Sequence, residues 1–261
     1  MSHHVLSLDP THRTLADVED ITTEHPFCWL SAGWMDLRRA PAASIGYGVL
    51  FVIASYLVTL LVVFNQWFFL LLPLLGGFFL VAPALGSGLY EISRRLERGE
   101  HPSLVHALTA IRRNPFHITT LGAFLAVVLL AWILVANLIF VGLAAGISPS
   151  FGNALGYLFS LQNLPMLAVG TAVGTVFALV VFALSALSSP MLVDRDDIDA
   201  LSAMQTSVAA CLYNWRPMLL WAVLIALVIV AGFCTLYVGL AIGFPLIGHA
   251  TWHAYRDLLR S

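Results

Sequence analysis

Residues 217–249 read PMLLWAVLIALVIVAGFCTLYVGLAIGFPLIGH, 33 residues without a single charge. As one helix this stretch would run about 50 Å at 1.5 Å per residue, against a hydrocarbon core of about 30 Å. As a hairpin it makes two short helices with a turn near Gly232. Charge elsewhere in the chain decides between the two. Charged residues fall in four places only: the N-terminal segment up to Arg39, residues 91–113, residues 194–216 and the tail after His253. The other connections, 65–67, 142–164 and the Gly232 region, carry none. If 217–249 crosses twice, every Arg lies on one side of the membrane, as the positive-inside rule asks. A single crossing would strand Arg256 and Arg260 on the far side. The hairpin is therefore the expectation.

The composition agrees with a membrane setting. Sixty per cent of the 261 residues are hydrophobic and 10% are charged, where a soluble domain carries about 25% charged residues. Four further apolar runs, 42–64, 68–88, 118–141 and 165–188, each have the roughly 20 residues of a spanning helix. The fold class is all-α integral membrane. It comprises six transmembrane helices as three hairpins, each preceded by an interfacial amphipathic helix, with the last two spans short. Residues 1–25 are polar, lack a signal-peptide pattern and read as a disordered cytoplasmic tail. Residues 26–261 form one six-span domain with both termini cytoplasmic. A net charge of −2 gives nucleic acid no purchase. The three cysteines, Cys28, Cys211 and Cys234, show no pairing pattern and read as reduced thiols.

The same order of features recurs three times, over about 26–98, 102–195 and 196–261: amphipathic segment, Arg or Asn, proline, membrane hairpin. The junctions are DLRRAP at Pro41, AIRRNP at Pro115 and LYNWRP at Pro217. Apolar residues precede them at helical spacing, including Phe27, Leu30, Trp34 and Leu37 before the first, and Ile198, Leu201, Val208 and Leu212 before the third. The first and third hairpin exits align as PALGSGLYEISRR from Pro83 with PLIGHATWHAYRD from Pro245.

His249 and His253 stand four apart, on one face of a helix, the spacing of zinc metalloproteases. Ala250 stands where the protease needs its Glu. A metal would require a further ligand such as His106 or His117. The aligned first exit has Ser87 and Glu91 in their places. The preferred reading makes the two histidines interfacial residues in an aromatic belt with Trp252 and Tyr255. Arg38, Arg39, Arg112, Arg113 and Arg256, with Trp252 and Tyr255, are the expected lipid or partner interface. The acidic cluster Asp194, Asp196, Asp197 and Asp199 departs from a calcium loop and reads as helix capping, with Asp196 or Asp197 opening the helix. No Asp, Glu, Lys or Arg lies within the spans, which argues against ion-coupled transport. Gly170–Gly174 and Gly239–Gly243 have the spacing that lets helices approach closely. No cofactor is expected.

The stretches GWMDLRRAPAASIGYGVLF, SSPMLVDRD and FPLIGHATWHAYRDL together resemble an uncharacterised bacterial integral-membrane family, domain of unknown function 2189. The resemblance runs from about Phe27 onward and is most specific in GHATWHAYRDL. Some members are labelled as a cytochrome c oxidase subunit, and the resemblance implies a multispanning protein of the bacterial inner membrane with a link to respiration. A haem–copper subunit would need histidines on several membrane helices, and this chain has His117, His249 and His253 at one edge. The leading expectation is a non-catalytic accessory, scaffold or assembly subunit of a larger respiratory or photosynthetic membrane complex, in contact with lipid and other membrane subunits. The alternatives are a transporter or channel for a neutral or lipid-like solute, and a metal- or haem-handling protein using His249 and His253.

Overall fold

The computed structural model describes residues 18–143 and 160–259, and their regular structure is entirely helical. Helix α1 (His25–Arg39) leads into α2 (Pro41–Phe64), and a single 3₁₀ turn precedes α3 (Leu71–Leu85) and α4 (Ser87–Glu97). The short α5 (Leu104–Leu108) precedes α6 (Pro115–Leu143). Beyond the undescribed 144–159 come α7 (Leu164–Ser185), α8 (Ser188–Asp194), α9 (Ala200–Tyr213), α10 (Trp215–Cys234) and α11 (Leu240–Leu258). Pro41 and Pro115 open α2 and α6, and Pro217 lies in the first turn of α10, where a missing N–H leaves no intrahelical bond unmade.

Five stretches are long and apolar enough to cross a membrane: Pro41–Phe64, Pro73–Glu97, Pro115–Leu143, Leu164–Asp194 and Trp215–Cys234. The sixth expected span is not among them. Helix α11 is apolar only over residues 240–247, after which come His249, His253, Arg256 and Asp257. It does return alongside α10, and the turn between them lies at 235–239, slightly beyond Gly232. Leu236 and Tyr237 adopt φ of 52° and 70° there. The turn closes through Tyr237 N–H to the Gly232 carbonyl at 3.0 Å. It is tied to α2 by Tyr56 Oη–H to the Leu236 carbonyl at 2.6 Å and by Thr59 Oγ1 with Tyr237 Oη at 2.9 Å. Thr59 lies 18 residues beyond Pro41, so the tip reaches about 27 Å down α2.

Charged segments meet at the opposite end. Arg113 reaches Asp196 at 3.4 Å, and Arg256 reaches both Asp194 and Glu97 at 3.4 Å. Residues 18–24, expected within a disordered tail, are tied into this end. Glu19 N–H donates to the Leu258 carbonyl at 3.0 Å and Ile21 N–H to Asn214 Oδ1 at 3.1 Å. The rest of that tail, 1–17, and most of the 142–164 connection lie outside the described residues.

Helix α11 is the packing centre. At Gly33 of α1, a Cβ would sit 2.6 Å from the Ala250 nitrogen. At Gly48 of α2, a Cβ would run into the Ala241 carbonyl. That carbonyl is also the one whose helical partner would be the N–H missing from Pro245. The GxxxG pairs behave differently. Gly170 has nothing within 4 Å of a Cβ position, Gly174 faces Trp132, and Gly239 and Gly243 meet Thr235 and Val228 of their own hairpin. The break between α7 and α8 is bridged from α9. Ser207 Oγ accepts from Leu187 N–H at 3.1 Å and donates to the Ala183 carbonyl at 2.7 Å, satisfying two backbone groups a straight helix would have paired.

Candidate functional site: a buried polar cluster beside an apolar cavity

The two histidines that stood out in sequence are in the interior. His249 is fully buried, and its Nε2 lies 2.8 Å from Ser44 Oγ and its Nδ1 2.8 Å from Ser93 Oγ. Ser93 Oγ in turn donates to Asp36 Oδ2 at 2.8 Å, and His253 Nε2 meets the same oxygen at 2.8 Å. Asp36 is only 3% exposed. Helices α1, α2, α4 and α11 thus each place a polar side chain into one chain of hydrogen bonds.

The proton positions follow from donor counting. A hydroxyl has one proton, and Ser93 gives it to the carboxylate, so Ser93 accepts from His249 Nδ1–H. The neutral imidazole then has a lone pair on Nε2, which accepts the Ser44 O–H. His253 Nε2–H donates to Asp36, because an ionised carboxylate only accepts. Burial pushes Asp36 up, but the hydrogen bonds from His253 and Ser93, with the electrostatic attraction of His253, outweigh it, leaving the carboxyl below its ordinary 3.8. Burial pushes His249 down to about 4. The Asp36 charge opposes this, and His253 adds to it. Both effects match the assignment of an ionised Asp36 and a neutral His249.

Neither nitrogen of His249 is left over for a metal, and no group of three or more His, Cys, Asp or Glu suited to a metal ion occurs among the described residues. His106 and His117, the other candidate ligands, serve backbone elsewhere. His106 Nδ1 accepts from Ser103 N–H at 3.2 Å in a capping box, and His117 Nδ1 accepts from Ala200 N–H at 3.3 Å. The aromatic-belt reading is corrected too. Trp252 and Tyr255 have no exposed surface, so they pack the core and cannot form a lipid or partner face. Tyr255 donates to Asp194 at 2.9 Å. Arg256 is half-buried and divided between Asp194 and Glu97, and Arg113 is held by Asp196, while Arg38, Arg39 and Arg112 are exposed. The helix after the acidic cluster is capped by Asp199, which accepts from Ser202 N–H at 2.9 Å. That is two residues beyond Asp197.

Sequence reading missed Asp36, Ser44 and Ser93. A signal for Asp36 existed. Trp29, Gly33, Asp36 and Leu37 fall on one helical stripe, and all four are buried. Nothing in the local sequence marks Ser44 or Ser93, since their role depends on which helices become neighbours.

Helix α11 turns its other face to a cavity of about 680 Å³. Its walls come from α3, α6, α7, α10 and α11, and they are almost wholly apolar, with Phe79, Leu80, Trp132, Phe182, Ile225 and Ile247 among them. Trp132 props α6 against α3 by donating to the Pro73 carbonyl at 2.9 Å. The few polar side chains in the wall are Tyr90, Ser185, Trp221 and Thr251 toward the charged end, with Thr171 and Thr175 farther along α7. Ser185 and Thr251 donate to carbonyls of their own helices, at 2.6 and 2.8 Å. Leu179 of α7 and Leu219, Val223 and Val230 of α10 both line the cavity and are exposed. The mouth therefore lies between two helices of spanning length.

Comparison with known proteins gives one family-model match over part of the chain. No curated protein and no solved structure matches the chain. The stretches 33–51 and 244–258, which carried much of the resemblance, lie outside the part that a family model covers. Over residues 71–194 the chain matches the model of the family described as "Predicted integral membrane protein (DUF2189)", the family that the sequence resembles, and the protein is an integral membrane protein.

Proposed function

We propose that this is a non-catalytic membrane protein that takes up a lipid-like solute between its helices. The observation behind this reading is the apolar cavity of about 680 Å³ with its mouth between α7 and α10. Sites that enclose small molecules measure about 300–1,000 Å³ and are mostly apolar. A mouth bounded by Leu179, Leu219 and Val223 faces hydrocarbon if those helices span. The polar cluster supports a non-enzymatic role, because its groups are engaged with one another and stand away from the cavity lining. In this reading α10 and α11 form a third hairpin completing a six-helix arrangement with internal repeats. All charged ends then lie on the cytoplasmic side of a bacterial inner membrane.

The accessory or assembly subunit is the second reading. Its specific support is the exposed face of α1, where Phe27, Trp34 and Met35 are about half exposed beside Arg38 and Arg39, a surface suited to the membrane interface or to a neighbouring subunit.

One experiment separates the two. The full chain is purified in mild detergent and its retained lipids are counted by mass spectrometry, beside Gly170→Leu. Gly170 lines the cavity with open space where a Cβ would stand, so leucine enters without a clash. Solute uptake predicts about one retained molecule per chain, lost in the variant. Equal retention in both, with a stoichiometric protein partner, would establish the accessory role instead.

A further inference from the structure

The charged end of the molecule carries three outward faces that are oilier than the faces packed beneath them. On α1, Gly33 and Asp36 turn inward while Phe27 and Trp34 are exposed. On α5, Ala107 is buried while Val105 and Leu108 are exposed. On α9 and the start of α10, Thr206 and Ser207 are buried while Leu212 and Trp215 are exposed. A helix facing water turns its larger apolar side chains inward, so these faces call for an apolar cover. Beside each face stands an exposed arginine, Arg38, Arg112 or Arg216, with no carboxylate partner among the described residues. The guanidinium of Arg216 rests over the Trp215 ring, 5.2 Å from its centroid. The three arginines stand within three residues of Pro41, Pro115 and Pro217, at the start of stretches of spanning length. The faces also lie on different flanks, because α1 packs on α10 and α11, α5 on α2 and α4, and α9 on α7 and α8.

We propose that these three faces are binding sites for anionic phospholipids of the leaflet at the charged end. The lipid phosphate meets the arginine, and the glycerol and upper acyl chains cover the apolar side chains. Both halves of that chemistry are needed. A free phosphate would leave Phe27 and Trp34 uncovered, and a neutral lipid would leave Arg38 without a counter-charge. The repetition selects lipid over a docking protein. A leaflet surrounds the molecule and reaches all three flanks, whereas a partner seated on α1 would leave the other two bare. An anionic leaflet attracts each arginine near its surface. The sites are separate from the cavity, whose lining includes none of these residues.

The test places the full chain in mixed micelles with equal amounts of dioleoyl phosphatidylglycerol and dioleoyl phosphatidylcholine. Native mass spectrometry counts both lipids retained per protein. The wild type is expected to prefer the anionic lipid by about 5-fold at each site, the attraction of one arginine near an anionic surface. Arg38→Gln, Arg112→Gln and Arg216→Gln should each weaken that preference, and the triple variant should abolish it. These side chains are exposed and outside the ion pairs, so the melting temperature should not move. Trp34→Ser keeps Arg38 and should release lipid of both kinds from the α1 face. Equal retention of the two lipids, or a preference that survives the triple variant, would overturn the inference. So would a stoichiometric protein partner released by Trp34→Ser. A preference lost in the triple variant with lipid retention untouched by Trp34→Ser would reduce the sites to bare charge contacts and overturn the two-part reading. Each of these outcomes is independent of the solute site, which Gly170→Leu tests separately.

Discussion

The two faces of α11 make opposite use of one helix. On the side of α1 and α2, glycines let backbones come close, and Asp36, Ser44, Ser93 and His249 fill what remains with hydrogen bonds. On the side of α3, α6, α7 and α10, rings such as Trp132 and Phe182 hold helices apart around an apolar void. Polar groups in a low-dielectric interior are stable only when all are paired, which forces close, specific packing. Apolar groups carry no such demand and can border empty space. The first face is built to be rigid, and the second leaves room for a guest.

The comparison breaks most readily at Asp36. Asp36→Ala leaves Ser93 and His253 without their acceptor, and a buried donor left unpaired costs about 1–3 kcal/mol. Thermal unfolding in detergent should fall accordingly; a loss below about 1 kcal/mol would mean the cluster does not hold the helices together. Acid attacks the same face. Burial holds the His249 pKa at about 4 against 6.5 for an ordinary imidazole, so the unfolded chain binds more protons in that window. The His249 contribution is full above pH 6.5 and is lost as pH falls toward 4, by roughly 1 kcal/mol per pH unit. Protonation of the lowered Asp36 carboxyl extends the loss below its ordinary 3.8. A melting temperature that stays flat between pH 7 and 4 would contradict the neutral, buried imidazole.

Adding one methyl group on each side sharpens the contrast. Gly33→Ala places a Cβ against the Ala250 backbone and should destabilise by about 1–3 kcal/mol. Gly122→Ala, on α6 with nothing within 4 Å, should be neutral or stabilise by up to about 1 kcal/mol, the helix preference for alanine. Similar effects from both would remove the distinction between tight and open packing. The most local change is expected at Ser207→Ala, which unpairs Leu187 N–H and the Ala183 carbonyl at the α7–α8 break. The cost should be about 1–2 kcal/mol, read as faster amide exchange at Leu187.

Much was determined by the amino-acid sequence alone. Charge-free runs separated by arginine-bearing segments become long apolar helices, because backbone groups in hydrocarbon must be paired within the helix. The length of 217–249 likewise pointed to two helices with a turn, and α10 and α11 do fold back on each other, although only α10 has spanning length. Tertiary structure decided the rest. Local sequence places Trp252 and Tyr255 where an aromatic belt would lie, and neighbouring α1, α4 and α8 bury them instead. His249 and His253 share the spacing of a metal site, but Asp36, Ser44 and Ser93 arrive from 156 or more residues away to hydrogen-bond their rings. The cavity has no local signature at all. It exists because five helices are held apart by rings distant in sequence, and the volume between helices is a property of their arrangement, which no single segment encodes.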